Sequence, residues 1–302
     1  MMAVTGRGFR LAHLSDLHIG PLPRVTPGAL FSKRALGYLS WRVRKQRVHR
    51  AEVLAALRQD LLASAPDHIA ITGDLVNLAL PAEFVRAAQW LRELGPPERI
   101  SVVPGNHEAY AAVRSADSLA HWADYMSSDK GAGPSNDVAF PYLRQRGPLA
   151  LIGLSSASVS PPGFATGRLG DAQLQALERM LAALNGTDCY RILLLHHPPL
   201  AAGGSWRKRL IDAAALRRIV AKRGAELVLH GHQHVPSRGS LEGQNGKLPA
   251  LGVPSASSLD TRPERQAQYR IHTIVRAADG WRLHSEIRRY DPATSSFAAP
   301  LP

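Results

Sequence analysis

Acidic, amide and imidazole side chains follow apolar, strand-like runs at several separate places along this chain. The first example is Asp16-x-His18, which follows an apolar run at residues 10–15. Residues two apart in an extended segment point to the same side, so these two side chains can converge on one point. Similar residues end later runs, and the candidate site residues are Asp16, His18, Asp74, Asn106, His107, His196, His197, His230, His232 and His234.

The donor types in this set favour metal chemistry. Carboxylate, imidazole and amide oxygen groups suit Mn, Fe and Zn, while a single cysteine, Cys189, excludes a structural site built on several thiolates. More candidates are present than one tetrahedral ion needs, which favours two ions that share a carboxylate. Such a pair clamps phosphate oxygens and generates hydroxide near neutral pH. A hydrogen-bonded structural role is the alternative for any one histidine, but it does not explain why so many follow strands.

Predicted strands alternate with predicted helices over the first 230 residues, a pattern typical of a largely parallel sheet covered on both faces. Ligands bind outside the carboxyl ends of the strands in such sheets, which is where the candidate residues lie. The predicted strands are 10–15, 68–72, 100–104, 149–154, 191–195 and 226–229. The predicted helices are 47–65, 81–94, 111–125, 171–184 (with Asp171 as N-cap) and 212–222.

The C-terminal part has a different pattern. Strands predicted at 249–253, 269–275 and 281–290 have no helices between them, so we expect them to be antiparallel and to complete a second sheet. A loop rich in Gly, Ser and Asp is predicted at 127–137, and residues 292–302 are expected to form a disordered tail. No long linker divides the sequence, which predicts a single domain over residues 8–291.

A basic segment follows Asp16 and His18. Residues 21–51 contain no acidic residue, and their Lys and Arg residues alternate with aromatic and aliphatic ones. Leu36, Leu39 and Val43 have helical spacing. This pattern predicts an amphipathic insertion at about 21–50 that binds an anionic membrane surface or another polyanion through residues 24–50. The alternative is an insertion whose apolar face packs on the body of the protein while its charges are solvated.

Composition limits the class of protein. The chain has 302 residues, 45% of them hydrophobic, which supports a sizeable core. No run approaches the roughly 20 apolar residues that span a bilayer, and one cysteine excludes an intrachain disulfide. These features predict a cytoplasmic location. The formal net charge of +13 favours polyanionic partners, although free use of arginine by the source genome is an alternative explanation.

Five motifs in order resemble the calcineurin-like metallophosphoesterase family. They are Asp16-x-His18, Gly73-Asp74, Gly105-Asn106-His107-Glu108, His196-x-Pro198 and Gly231-His232-x-His234. The resemblance implies an α/β fold with a four-layer α/β/β/α arrangement, in which helices flank two central mixed β-sheets. It also implies a di-metal site at the C-terminal strand ends, holding two divalent or trivalent ions of Mn, Fe or Zn.

The resemblance also implies a role for each residue. Asp74 would bridge the two ions, and a bridging hydroxide would attack phosphorus in line. His107 would stabilise the phosphoryl group or protonate the leaving oxygen. His197, His230 and Glu108 would support the site or contact substrate. The remaining ligands would be Asp16, His18 and His234 for one ion and Asn106, His196 and His232 for the other.

The function implied is a metal-dependent phosphoric ester hydrolase, either a phosphodiesterase or a phosphomonoesterase. One alternative is a lipid-linked or nucleotide-sugar pyrophosphate hydrolase of the UDP-diacylglucosamine type, peripheral to the inner face of the membrane. Others are a cyclic nucleotide phosphodiesterase and a non-catalytic scaffold on the same fold. The scaffold is disfavoured because every expected ligand type is present. Nucleic acid is a less favoured partner, because no second domain for it is evident.

Overall fold

The structure is a computed structural model that describes residues 7–30, 32–129, 138–200 and 205–299. Its strands are β1 (Phe9–Leu14), β2 (His68–Ile71), β3 (Ile100–Val102), β4 (Tyr142–Arg146), β5 (Leu149–Gly153), β6 (Tyr190–Leu194), β7 (Leu227–His230), β8 (Ser237–Gly243), β9 (Gly246–Gly252), β10 (Gln268–Ala277), β11 (Gly280–Asp291) and β12 (Ser296–Ala298). Its α-helices are α1 (Arg34–Ser40), α2 (Gln46–Val48), α3 (Ala51–Ser64), α4 (Pro81–Leu94), α5 (Asp171–Ala183) and α6 (Ala213–Arg223).

Several shorter helical turns connect these elements. A π-helical turn, Trp41–Lys45, joins α1 to α2. The 3₁₀ turns are Pro27–Leu30, Pro97–Arg99, Ser115–Asp117, Leu119–Met126, Trp206–Lys208 and Pro263–Arg265.

The strands of the described residues form two six-stranded mixed sheets. The order in the first is β12-β11-β10-β1-β2-β3, and in the second it is β4-β5-β6-β7-β9-β8. Strands β1, β2 and β3 are parallel, and so are β5, β6, β7 and β9. The remaining pairs are antiparallel. The carboxyl ends of the parallel strands therefore deliver the loops that carry the candidate residues.

The core alternates along each central strand of the second sheet. Ile192 and Leu194 belong to the same buried cluster as the strands of the first sheet, whereas Leu193 and Leu195 belong to the cluster that includes α5 and α6. Side chains alternate between the faces of a strand, so each strand packs against a sheet on one side and helices on the other. Full burial of such side chains stabilises the fold by about 1.5–3 kcal/mol each. The predicted four-layer arrangement is confirmed.

The predicted helix 47–65 is wrong at its start. Helix α2 ends at Val48, and His49 and Arg50 are extended before α3 begins. The cause is a tertiary pairing, because His49 bridges Ser258 and the Arg50 amide donates to the Ser257 carbonyl at 3.2 Å. The break turns the His49 side chain towards the candidate site.

Other differences arise from contacts distant in sequence. The strands predicted at 269–275 and 281–290 join the first sheet beside β1, and only the predicted strand 249–253 lies in the second. The expected disordered tail contains β12, because Phe297 is buried against Tyr269 and Tyr290. Residues 300–302, and 130–137 of the predicted loop, lie outside the described residues.

Two helix predictions also need correction. Asp171 is the first residue of α5 rather than its N-cap, which is Gly170. The Gly170 amide donates at 2.8 Å to the Asp212 carboxylate, which takes the place of a local cap. The predicted helix 111–125 is replaced by short 3₁₀ turns at Ser115–Asp117 and Leu119–Met126.

Candidate metal centre

The loops after β1 and β2 lie side by side. The amides of Asp16 and His18 donate to the carbonyls of Gly73 and Asp74, each at 2.9 Å. The loop after β3 approaches them equally closely, because a Cβ atom at Gly105 would collide with the Asp74 carboxylate. These contacts bring three motifs that are far apart in the sequence to one edge of the first sheet.

Backbone strain is concentrated at the candidate ligands. Of the eight non-glycine residues that have positive φ in the described chain, five are candidate metal ligands. Such conformations cost about 1–3 kcal/mol each and persist only where the surrounding structure imposes them. The strain therefore marks this edge as a functional site. The five residues are Asp16, His18, Asp74, His232 and His234.

One group of donors lies around Asp16. His18 Nε2 and His234 Nε2 are 3.4 Å apart, and His234 Nε2 is 3.1 Å from Asp16 Oδ1. Together with Asp74, these residues offer ligand atoms that all lie within 4.8 Å of one another. Asp16 Oδ1 is buried and has no hydrogen bond of good geometry among the described residues. An oxygen in that position is suited to a cation.

A second group lies on the other side of Asp74. His196 Nε2 is 3.2 Å from His232 Nδ1, 3.1 Å from Asn106 Oδ1 and 3.3 Å from Asp74 Oδ2. Asp74 therefore borders both groups. The structure brings all seven predicted metal ligands together at the junction of the two sheets.

Hydrogen bonds to carbonyl oxygens fix how the imidazoles are oriented. His18 Nδ1 donates to the Val76 carbonyl at 3.3 Å, His196 Nδ1 to Thr72 at 2.7 Å, and His232 Nε2 to Lys208 at 3.0 Å. Metal-bound histidines usually make such a bond with the nitrogen that does not bind the metal. The second nitrogen of each ring consequently faces the site.

The electrostatics fit bound cations. Burial holds the pKa values of His18 and His232 well below the usual range, so both rings are neutral, as a ligand must be. Burial alone would lower the pKa of His196 as well, but the Asp74 carboxylate raises it to about 9, so a metal ion bound there would displace a proton from this ring. Burial acts in the opposite direction on Asp74, yet His196 and His107 hold the pKa of that carboxyl well below normal. Imidazole nitrogens this close together need a shared proton or a metal ion between them, and the donor set fits two ions.

His107 lies beside the metal ligands. Its Nδ1 donates to the Asn77 carbonyl, so Nε2 is the acceptor for Lys45 Nζ at 3.1 Å. His107 Nε2 is 4.0 Å from Asp74 Oδ2. Burial and then the Lys45 charge lower the pKa of His107 to about 3. His107 is thus a neutral ring whose unprotonated nitrogen, Nε2, accepts a hydrogen bond from Lys45.

Glu108 connects two ligand loops. Its Oε1 accepts from the amides of Leu75 and Val76 at 2.7 and 3.1 Å, and its Oε2 accepts from Asp74 and Gly105 at 2.9 and 2.6 Å. Burial and the adjacent Asp74 carboxylate raise the pKa of Glu108 to about 7, although these amides act in the opposite direction. The side chain therefore holds the loops together instead of facing a ligand.

His197 and His230 also support the site from behind. His197 is bonded to Ser156 Oγ at 2.8 Å and to the Ala165 carbonyl at 3.2 Å, while its ring lies against His232. His230 is buried and contacts the Gly231 carbonyl and Ser237 Oγ. Both nitrogens of each ring have protein partners, so these two residues shape the site without adding a donor to it.

The insertion turns its apolar helix face outward, contrary to one of the two sequence interpretations. Leu36, Leu39 and Val43 are 61%, 61% and 66% exposed, whereas Trp41 is buried. Charged residues make the contacts with the body: Lys33 Nζ donates to Ser160 and Phe164, and Arg34 donates to the carbonyls of Leu78 and Ala79. The expectation that an apolar face packs inward while charges are solvated is wrong.

Sequence reasoning missed two residues of this insertion. Lys45 contacts His107, and His49 lies beside His18 with ring centroids 4.4 Å apart. The segment follows Asp16 and His18 directly in the sequence, and that proximity was the available signal. Lys45 and His49 lie among many arginines, which makes them hard to single out.

A cavity of about 620 Å³ opens above the candidate metal ligands. Its walls include Asp74, Asn106, His107, His232 and His234, together with the aromatic side chains of Trp41, Tyr110 and Phe164. Six cationic residues line it, so the cavity favours an anionic ligand. They are Lys33, Arg44, Lys45, Arg207, Lys208 and Arg265.

Among the described residues, no helix combines the length and apolar character needed to cross a bilayer.

Curated relatives match most of the chain. A probable cyclic nucleotide phosphodiesterase from a Synechococcus strain is 27% identical over 248 residues, which is 81% of this chain and 85% of that protein. The 3′,5′-cyclic adenosine monophosphate phosphodiesterase CpdA of Escherichia coli K12 is 30% identical over 226 residues, 73% of this chain and 71% of that protein.

Solved structures share the fold at low identity. A dimetal phosphatase from Danio rerio superposes with a TM-score of 0.64 at 13% identity, covering 97% of this chain and 99% of that one. A purple acid phosphatase from yellow lupin gives a TM-score of 0.56 at 14% identity, covering 96% of this chain and 52% of that one. The sequence profile of calcineurin-like phosphoesterases matches residues 9–236. The chain belongs to the calcineurin-like phosphoesterase family and is a hydrolase of phosphoric esters.

Proposed function

We propose that this protein is a phosphodiesterase whose dinuclear metal centre is held by the residues that converge between the two sheets. The convergence of six residues with oxygen or nitrogen donors around Asp74 carries this proposal. The ligands are Asp16, His18, Asp74, Asn106, His196, His232 and His234.

The distances between donor atoms support a division of these residues into two groups, one for each proposed ion. Asp16, His18 and His234 lie on one side of Asp74, and Asn106, His196 and His232 lie on the other. Asp74 would bridge the two ions. When bound, such ions polarise phosphoryl oxygens and supply hydroxide for in-line attack. Nitrogen and oxygen donors suit Mn, Fe or Zn, and we propose these as the candidate ions.

The remaining residues orient the substrate and balance its charge. Lys45 places a positive charge beside His107 Nε2, at the wall of the cavity. A donor positioned where negative charge develops on phosphoryl oxygens lowers the barrier in such sites. Lys45 would therefore donate to the phosphoryl group, while His107 positions its ammonium group and is itself held in place by the Asn77 carbonyl.

A phosphodiester is the substrate class that the relatives favour. Both curated relatives described above are named as cyclic nucleotide phosphodiesterases. The aromatic residues Trp41, Tyr110 and Phe164 could stack against a base, and the cationic lining suits phosphate. We therefore propose cyclic nucleotides as the first substrates to test.

The test is a turnover assay on metal-stripped protein. A chromogenic phosphodiester and the matching monoester are each supplied with and without Mn²⁺. The proposal predicts Mn²⁺-dependent turnover with a preference for the diester. Faster turnover of the monoester would replace the diesterase by a phosphatase, and turnover without metal would refute the dinuclear mechanism.

A second candidate is a lipid-linked pyrophosphate hydrolase that works on a membrane surface. Leu36, Leu39 and Val43 are exposed on the insertion, and Leu36 also lines the mouth of the cavity. Basic residues beside an apolar helix face suit anionic headgroups. We propose that this face contacts an anionic bilayer, which for a cytoplasmic protein is the inner face of the membrane.

Co-sedimentation with vesicles tests this second candidate. The triple variant Leu36→Ser/Leu39→Ser/Val43→Ser should lose binding to vesicles that contain phosphatidylglycerol. The variant Leu62→Ser is the control, because Leu62 is 59% exposed on a different helix. Equal sedimentation of the triple variant and the wild type would exclude this face as the contact.

A further inference from the structure

His49 lies next to the donor group around Asp16, although it comes from the basic insertion. Its ring centroid is 4.4 Å from that of His18 and 5.9 Å from that of His234. The three histidines offer ligand atoms that all lie within 4.8 Å of one another. Three imidazoles at this spacing match a metal site more closely than a packed core, where each ring would have its own partner.

Serine residues orient the ring of His49 from behind. Its Nδ1 is 2.9 Å from Ser257 Oγ and 3.4 Å from Ser255 Oγ. Ser255 Oγ in turn donates to the Asp16 carbonyl at 2.6 Å. A metal-bound histidine typically has its other nitrogen fixed by such a bond. Because the serines hold Nδ1, Nε2 is the nitrogen left to bind a metal ion.

The backbone on both sides of His49 is fixed as well. The Arg50 amide donates to the Ser257 carbonyl at 3.2 Å, and the Leu259 amide donates to the Val48 carbonyl at 2.7 Å. These bonds interrupt the helix and hold His49 in an extended conformation. The break that overrides the helical pattern thus places the imidazole beside His18.

We propose that His49 is a further metal ligand, together with His18 and His234, on the Asp16 side of Asp74. The inference rests on the proposed dinuclear centre and adds a residue outside the motifs that define its other ligands. The insertion would then supply a metal ligand in addition to lining the cavity.

A third imidazole should also change which metal this position prefers. Imidazole nitrogen suits Zn and Fe, whereas carboxylate and water ligands suit Mn. The position near His49 should therefore bind Zn²⁺ more selectively than the position near Asn106. Loss of His49 should weaken Zn²⁺ binding more than Mn²⁺ binding.

The experiment is calorimetric titration of the metal-stripped, full-length chain with Zn²⁺ and with Mn²⁺. His49→Gln should weaken one of two sites at least about 10-fold and leave the other within about 3-fold, since loss of even a supporting contact costs about 10–100-fold. Ser257→Ala should weaken the same site to a smaller extent. His284→Gln is the matched control, because His284 is exposed on β11.

Each outcome decides the question. Unchanged affinities for His49→Gln, with a melting temperature equal to that of wild type, would overturn the inference. Equal weakening of both sites with a lower melting temperature of the metal-free protein would show a structural role and overturn it too. Reduced affinity for inorganic phosphate with unchanged metal affinity would make His49 a substrate contact instead. Fewer than two ions on the wild-type chain would refute the proposed centre before His49 is considered.

Discussion

Replacing Glu108 by glutamine should loosen the metal centre without touching a metal ligand. The carboxylate accepts four backbone hydrogen bonds, two at each oxygen, from Leu75, Val76, Asp74 and Gly105. A glutamine amide has one acceptor oxygen, so its NH₂ group would face two buried amides. Each buried donor left without an acceptor costs about 1–3 kcal/mol, which gives about 2–6 kcal/mol for two. Since the loops can partly relax, we expect a loss near 3 kcal/mol.

Urea denaturation of the metal-stripped protein measures this loss. Glu98→Gln is the control, because Glu98 is exposed in the Pro97–Arg99 turn. The Glu108→Gln variant should also bind Mn²⁺ more weakly, since the same amides position Asp74. A destabilisation below about 1 kcal/mol, with the control unchanged, would refute the argument that these four bonds hold the loops together.

Three further predictions address the cavity, a buried histidine and the first turn of a helix. Lys45→Met should lower kcat/KM for a phosphodiester about 100-fold with metal content unchanged, because one charged donor is lost. Lys247→Met, on the β8–β9 hairpin, is the control. Equal rates for the two variants would contradict the role of Lys45 as a donor to the phosphoryl group. Burial lowers the pKa of His68 to about 3, and the charges of Arg146 and Arg144 add to this effect. As the pH falls, His68 is therefore protonated in the unfolded chain before it is protonated in the folded one. The free energy of unfolding consequently decreases as the pH drops below about 6.5. His68→Gln should remove about 2 kcal/mol of the stability lost between pH 7 and pH 5, and parallel pH profiles would contradict it. Glu83→Ala should lower the free energy of unfolding, measured with urea, by about 2–4 kcal/mol, because the Glu83 carboxylate accepts from the backbone amides of Asn77, Leu78 and Leu80. An equal loss for Glu98→Ala would contradict this prediction.

The convergence of the candidate ligands could be predicted because their residue types are distinctive and they follow predicted strands. Asp16, Asp74 and His196 each follow a buried strand, and parallel strands bring their carboxyl ends to one edge. Neither the residue types nor their positions after strands require knowledge of contacts distant in sequence. The roles of these residues as ligands remain predictions until metal binding is measured.

Distant pairing explains what the sequence could not predict. The pattern of 269–275 indicates a strand but not its partner, and β10 pairs with β1, which is more than 250 residues away. Phe297 orders β12 only because Tyr269 and Tyr290 are already in place. Nine of the twelve strands in the described residues were predicted, β4, β8 and β12 were missed, and the sheet to which a strand belongs was the hardest feature to predict.

The insertion shows a limit of amphipathic patterns. The spacing of Leu36, Leu39 and Val43 correctly indicates one face of a helix, but it does not say whether that face is buried. Lys33, Arg34 and Lys45 find acceptors on the body of the protein, and these specific bonds orient the helix. A prediction from hydrophobicity alone would bury Leu36, Leu39 and Val43. It would thereby place Lys45 in solvent instead of beside His107.

Comparing the wild type with Asp74→Ala tests whether Asp74 joins two metal ions into one hydrolytic centre, as we propose. The measurement is Mn²⁺ stoichiometry together with turnover of a chromogenic phosphodiester. The wild-type chain should bind two ions, and Asp74→Ala should bind fewer and lose about a thousandfold or more in rate, because the ions contribute several kcal/mol to the transition state. Undiminished turnover of Asp74→Ala would contradict the metal mechanism.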